Sequence, residues 1–303
     1  MTGESVLEKI LGDASVVRIT MNDADEVVPP PVANSTAESI FQALVPRSSP
    51  ESTVASGARG AVLQLDLKRL ADIGITYSAA HAVAKRREYR AICRRFISNL
   101  EPSGSKGAGA ARRMAAITSA LPGEGKTYTS FNLARTIADL NESAVLLVDC
   151  DLIRRNISVS CDAAELPGVA DFLRGDVLDL ESLICRTNIL RLTILPSGDA
   201  GGEEHALMSA SRLQRLTAGL AAKLDGAIVI FDCAPVLASD DAVQLAPNVH
   251  RVLFVVRAAK TPAESVRSAI ERLETANKPL LLLNGWAPKH LDREYESSGR
   301  SHT

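Results

Sequence analysis

The chain has 303 residues, with 34 Lys and Arg against 36 Asp and Glu, for a formal net charge of -2. Hydrophobic residues make up 46% and charged residues 23%, which supplies a sizeable core and excludes a wholly disordered chain. The near-neutral balance argues against a generic nucleic-acid binder, and the absence of any run of about 18 apolar residues argues against a membrane-spanning helix.

In chain order, MTGESVLEKILGDASVVRIT is charged and lacks the long apolar stretch of a signal peptide. Residues 1–60 carry eight acidic and four basic residues, with three successive prolines at Pro29–Pro31. Residues 1–59 therefore read as a mostly disordered region, with helical spacing only over Val6–Leu11. Residues 61–113 invert the charge, with eleven basic against four acidic residues. Within them, 61–75 have apolar spacing suited to docking on a body, and 79–100 read as a helix with a basic face. Pro102–Ala110 is a Gly- and Ser-containing break, so 60–110 is expected to be a basic helical and linker segment.

From residue 111 the pattern alternates. Strands are expected at Met114–Thr118, Ala144–Val148, Leu190–Leu195, Ala227–Phe231, Arg251–Val256 and Leu280–Leu283. Helices are expected at Thr127–Asp139, Val169–Leu173, Leu178–Cys185, Glu203–Lys223, Asp240–Leu245 and Pro262–Thr275, the last with Thr261 as N-cap. Strands that are apolar throughout imply burial on both faces, and their alternation with helices implies a mostly parallel sheet flanked by helices. The α/β unit is expected to span 111–289, with a polar tail at 290–303. Five cysteines (Cys93, Cys150, Cys161, Cys185, Cys233) form no C-x-x-C pair and read as free thiols in a reducing cytosol.

The run Ser119-Ala120-Leu121-Pro122-Gly123-Glu124-Gly125-Lys126-Thr127 follows a strand and opens a helix, the context of a phosphate loop (P-loop). Gly123 and Gly125 let the backbone curl so that N–H groups face phosphate oxygens. The helix start adds its positive dipole end. Lys126 supplies a charge at the β- and γ-phosphates, and the Thr127 hydroxyl is a hard ligand for Mg2+. Ala120 stands at the first position of the motif, where Gly is usual. The nucleotide-contacting set is then Ala120, Pro122, Gly123, Glu124, Gly125, Lys126, Thr127 and Tyr128. Two strands end in carboxylates, at Asp149-Cys150-Asp151 and at Asp232. Ligands of open parallel sheets sit at the carboxyl ends of strands, so the three aspartates are expected to converge on a γ-phosphate and its Mg2+, or one of them to act as base.

These residues carry a resemblance. ITSALPGEGKT, VLLVDCD and IVIFDCAPVL are similar to motifs of the bacterial tyrosine kinases (BY-kinases) of capsule and exopolysaccharide synthesis, over roughly residues 60–290. The variant resembled is the stand-alone cytoplasmic kinase of exosortase-linked loci. The resemblance implies a P-loop NTPase fold and an ATP- and Mg2+-dependent tyrosine autokinase. Asp149 would be the base toward a tyrosine hydroxyl, Thr127, Asp151 and Asp232 would hold Mg2+, and Asn284 would touch the adenine. It further implies a membrane chain-length regulator (a polysaccharide co-polymerase) as partner, a possible homo-oligomer, no nucleic acid, and a cytoplasmic chain recruited to the inner face of the membrane.

The chain departs from that pattern in four places. Cys233-Ala234-Pro235 keeps one of two usual prolines, and Ile153 stands where Arg is usual, with Arg154 and Arg155 after it. The subunit-contact motif Glu-x-x-Arg-x-x-Arg is matched only in part by Arg87–Cys93, through Arg90. The tyrosine-rich tail is reduced to Tyr295, the phosphosite candidate. Alternative readings are a P-loop ATPase switch of the partitioning type, disfavoured because Leu121 replaces its signature lysine, and a nucleotide-sensing regulator of the co-polymerase that phosphorylates nothing.

Overall fold

The computed structural model describes residues 18–19, 61–100, 113–140, 143–224, 226–273 and 278–285. Strands β1 (Arg18–Ile19) and β2 (Val62–Leu63) precede helix α1 (Leu67–Asp72), a 3-10 turn at Ala79–His81 and helix α2 (Ala82–Leu100). Then come β3 (Met114–Ser119), α3 (Lys126–Asp139), β4 (Val145–Asp149), α4 (Asn156–Ser160), α5 (Val169–Arg174), α6 (Leu180–Leu183), β5 (Cys185–Thr187) and β6 (Leu192–Leu195). The chain continues through α7 (Glu204–Leu207), α8 (Ala210–Lys223), β7 (Ile228–Asp232), α9 (Asp241–Leu245), β8 (Arg251–Arg257), α10 (Ala263–Leu273) and β9 (Leu280–Asn284).

The strands form one sheet in the order β1-β9-β8-β3-β7-β4-β6-β5-β2. All neighbours are parallel except β5 and β6. Every residue of β3, β4, β6 and β7 is buried, as expected of a sheet covered on both faces. Alternate residues feed two cores: Met114 and Ala116 pack with Phe172, Leu216 and Val266, whereas Ala115 and Ile117 pack with Phe96, Phe131 and Ile137. Residues 61–100 belong to that second core, with Leu70, Ile92, Phe96 and Leu100 buried. Each such side chain contributes roughly 1.5–3 kcal/mol of burial, so this segment is built into the domain.

The structure corrects three expectations and adds one short strand. The helix expected over Leu178–Cys185 is only α6, and Cys185–Thr187 is a strand. The sheet captures it: Arg186 N–H donates to Ala61 O at 2.9 Å and Asn188 N–H to Leu63 O at 3.2 Å. The helix expected over Glu203–Lys223 breaks at Ser209, whose extended ψ of 150° stops one helix and opens the next. Thr261 does not cap α10 through its side chain; its hydroxyl accepts from Arg257 N–H at 3.0 Å and donates to Glu124. Within 1–59, Arg18–Ile19 pair with Leu281–Leu282 as an edge strand. The other readings made on 1–59, the break at Pro102–Ala110, and the tail with Tyr295 lie outside the described residues.

Candidate active site

The loop from Ala120 to Gly125 joins the carboxyl end of β3 to the amino end of α3. Gly123 and Gly125 have φ of 79° and 96°, a region that only glycine enters without strain. At Gly125 a Cβ would also stand 2.1 Å from Asn284 Nδ2, so that side chain would have to move aside. Ala120 is fully buried, so the absent first glycine costs nothing visible, and Pro122 and Gly123 are exposed at the loop's tip. The 14-residue α3 directs its unpaired N–H groups and positive dipole end at the loop. Tyr128 turns its ring edge-on to Tyr89, with centroids 6.2 Å apart, so its share in the loop is that of its backbone.

The aspartates are brought to the same edge by strand register. Asp149 ends β4 directly beside Asp232 at the end of β7. Lys126 Nζ lies 3.2 Å from Asp151 Oδ2, with both side chains buried. Asp232 Oδ1 is held at 2.9 Å by Ser130 Oγ, one turn along α3 from Lys126. Asp149 Oδ2 accepts from both the N–H and the hydroxyl of Ser158, and Ser158 Oγ accepts from Ser197 N–H at 2.8 Å. Burial, then the neighbouring Asp232, push the Asp149 carboxyl up to about 7, against the Ser158 bonds. Burial pushes Asp232 up to about 6, opposed first by Lys126. A carboxylate poised near 7 suits a general base.

At this edge of the sheet Thr127 Oγ1, Asp149 Oδ1, Asp151 Oδ2 and Asp232 Oδ2 are buried without a hydrogen-bond partner, Asp151 Oδ2 facing only the Lys126 ammonium. Unsatisfied buried oxygens are costly, and those of Thr127 and Asp232 are hard donors that fit Mg2+. Among the described residues no cluster of three His, Cys, Asp or Glu side chains could hold a metal by itself.

Asn284 lies at the end of β9, with Nδ2 2.9 Å from Glu124 O. Glu124 turns its carboxylate back into the loop, where Leu121 N–H donates to it at 2.7 Å. Ser130 and Ser158 were not singled out from sequence. The signal for Ser130 was its place four residues after Lys126; Ser158 gave none.

No protein-family model matches the chain. It is 32% identical over 171 residues to the tyrosine-protein kinase YwqD of Bacillus subtilis, covering 56% of this chain and 70% of that protein. It is 29% identical over 194 residues to the tyrosine-protein kinase CpsD of Streptococcus pneumoniae, covering 64% of this chain and 80% of that one. Among solved structures, the VpsO kinase domain superimposes with a TM-score of 0.56 at 27% identity, over 68% of this chain and 98% of that domain. With this identity across more than two thirds of YwqD, the chain belongs to the bacterial tyrosine-protein kinase family.

Proposed function

We propose that the chain transfers the γ-phosphoryl group of ATP to a tyrosine and does so in the control of exopolysaccharide or capsule synthesis. The observation that carries the reading is Asp149: buried at the strand end beside Asp232, fixed through one oxygen by Ser158, with the other oxygen unpaired. In the proposed step Asp149 takes the phenolic proton. The tyrosine oxygen bonds to the γ-phosphorus as the bond to the β-phosphate oxygen breaks, and ADP leaves. A tyrosine hydroxyl has a pKa near 10, so a nearby base lowers the barrier.

Lys126 and the backbone N–H groups of Gly123–Thr127 would bind the phosphates. Thr127, Asp151 and Asp232 would hold Mg2+, which would supply charge neutralisation to the phosphates. Asn284, whose Nδ2 is engaged by the loop, would meet the base through Oδ1. Tyr77 and Tyr89 are buried, and burial pushes the half-buried Tyr128 hydroxyl up to about 12. These three are poor acceptors, which leaves Tyr295 or a tyrosine of another protein. Among the described residues no helix is long and apolar enough to cross a membrane. A membrane chain-length regulator is the partner proposed to recruit the chain, and in the subunit-contact stretch Arg90 and Arg94 stand exposed while Cys93 is buried.

Purified chain incubated with Mg2+ and labelled ATP should acquire phosphotyrosine, and Lys126→Met should abolish it. Phosphopeptide mapping should place the label at Tyr295. Phosphate release without protein labelling would favour the ATPase switch, and nucleotide binding with neither would favour the sensor.

A further inference from the structure

The outer side of the phosphate loop is tied to the ends of two strands. Arg257, the last residue of β8, donates from Nη1 to Gly123 O at 2.8 Å. Asn284, its register partner at the end of β9, donates from Nδ2 to Glu124 O at 2.9 Å. Between these ties the Glu124 carboxylate, itself buried, accepts from Leu121 N–H through one oxygen and from the Thr261 hydroxyl through the other. Thr261 is held in turn by Arg257 N–H at 3.0 Å.

In a trans peptide the C=O and the next N–H point opposite ways. Holding Gly123 O outward turns Glu124 N–H inward, and holding Glu124 O outward turns Gly125 N–H inward. We propose that Glu124, Thr261, Arg257 and Asn284 form an outer brace that presets the loop's amides for phosphate, with Glu124 and Thr261 as positioning residues and not phosphate contacts. The inference rests on the nucleotide reading of this loop. It assigns Glu124 a task that its place in the motif does not reveal. A carboxylate is needed because both partners donate, each to a separate oxygen; Gln offers one acceptor and turns an amino group on a donor.

The test is calorimetric affinity for Mg2+-ATP, with thermal unfolding of the nucleotide-free chain as control and KM and kcat measured beside it. Glu124→Gln and Thr261→Val should each weaken ATP binding about tenfold and raise KM more than they lower kcat. Their combination should be no worse than either alone, because both break one chain of bonds. Thr261→Ser should restore wild-type affinity, and Arg257→Gln, at an exposed position, should cost about threefold. Wild-type affinity in folded Glu124→Gln and Thr261→Val, or losses that multiply, would overturn the brace. The Arg257→Gln arm decides alone if the others fail to fold. A wild-type chain that gives no heat with Mg2+-ATP would instead remove the nucleotide reading itself.

Discussion

Ser158 gives Asp149 two hydrogen bonds on the same carboxylate oxygen, at 2.8 Å from its N–H and 2.7 Å from its hydroxyl. The arrangement aims the other oxygen and favours the charged form. Ser158→Ala should therefore lower kcat about tenfold with little change in the KM for ATP, since one charge-assisted bond is worth ~1.5–3 kcal/mol. Single-turnover phosphorylation at saturating ATP checks this.

The buried carboxylates should make the chain free of nucleotide and metal less stable as pH rises. Asp149 is raised to about 7 in the fold, whereas an unfolded Asp titrates near ~4. The folded state thus binds more protons between those values, and unfolding free energy falls as pH climbs through that window. Asp149→Asn should stabilise the chain at pH 8 by on the order of 2 kcal/mol, with the gain fading toward pH 4. Denaturant titrations in EDTA at the two pH values test it.

The two loop glycines should respond unequally to alanine. Gly123 has φ 79° with no atom within 4 Å of a new Cβ, whereas Gly125 has φ 96° and meets Asn284. Gly123→Ala should cost ~1–2 kcal/mol of backbone strain and weaken nucleotide binding moderately. Gly125→Ala should weaken binding further, because it adds the displacement of Asn284 from Glu124 O to a similar strain. Calorimetry on both variants gives the comparison.

Phe96 tests whether α2 is structurally part of the kinase unit. It is fully buried in the core shared with Phe131 and Ile137, so Phe96→Ala should cost ~3–5 kcal/mol. Unfolding should remain one transition. A separate early transition for residues 61–100 would contradict the shared core.

Much of the fold was legible because parallel strands buried on both faces run apolar at successive positions, as in MAAI of β3 and IVIF of β7, with polar residues only at the strand ends. The loop was legible because Gly123, Gly125, Lys126 and Thr127 are chosen by phosphate chemistry that is local in sequence. What escaped depends on distant partners. Cys185–Thr187 is a strand only because β2 and β6 flank it. Ser158 is an ordinary helix serine until the sheet places Asp149 against it. Thr261 matched the N-cap pattern, but Glu124 claims its hydroxyl.

All five cysteines are buried. A maleimide dye should therefore find almost no reactive sulfur on the native surface. A single cysteine engineered at an exposed site such as Arg154 could then carry a fluorophore without removing the others. In the unaltered chain, the pace of slow alkylation would serve as a clock for how often its interior opens to solvent.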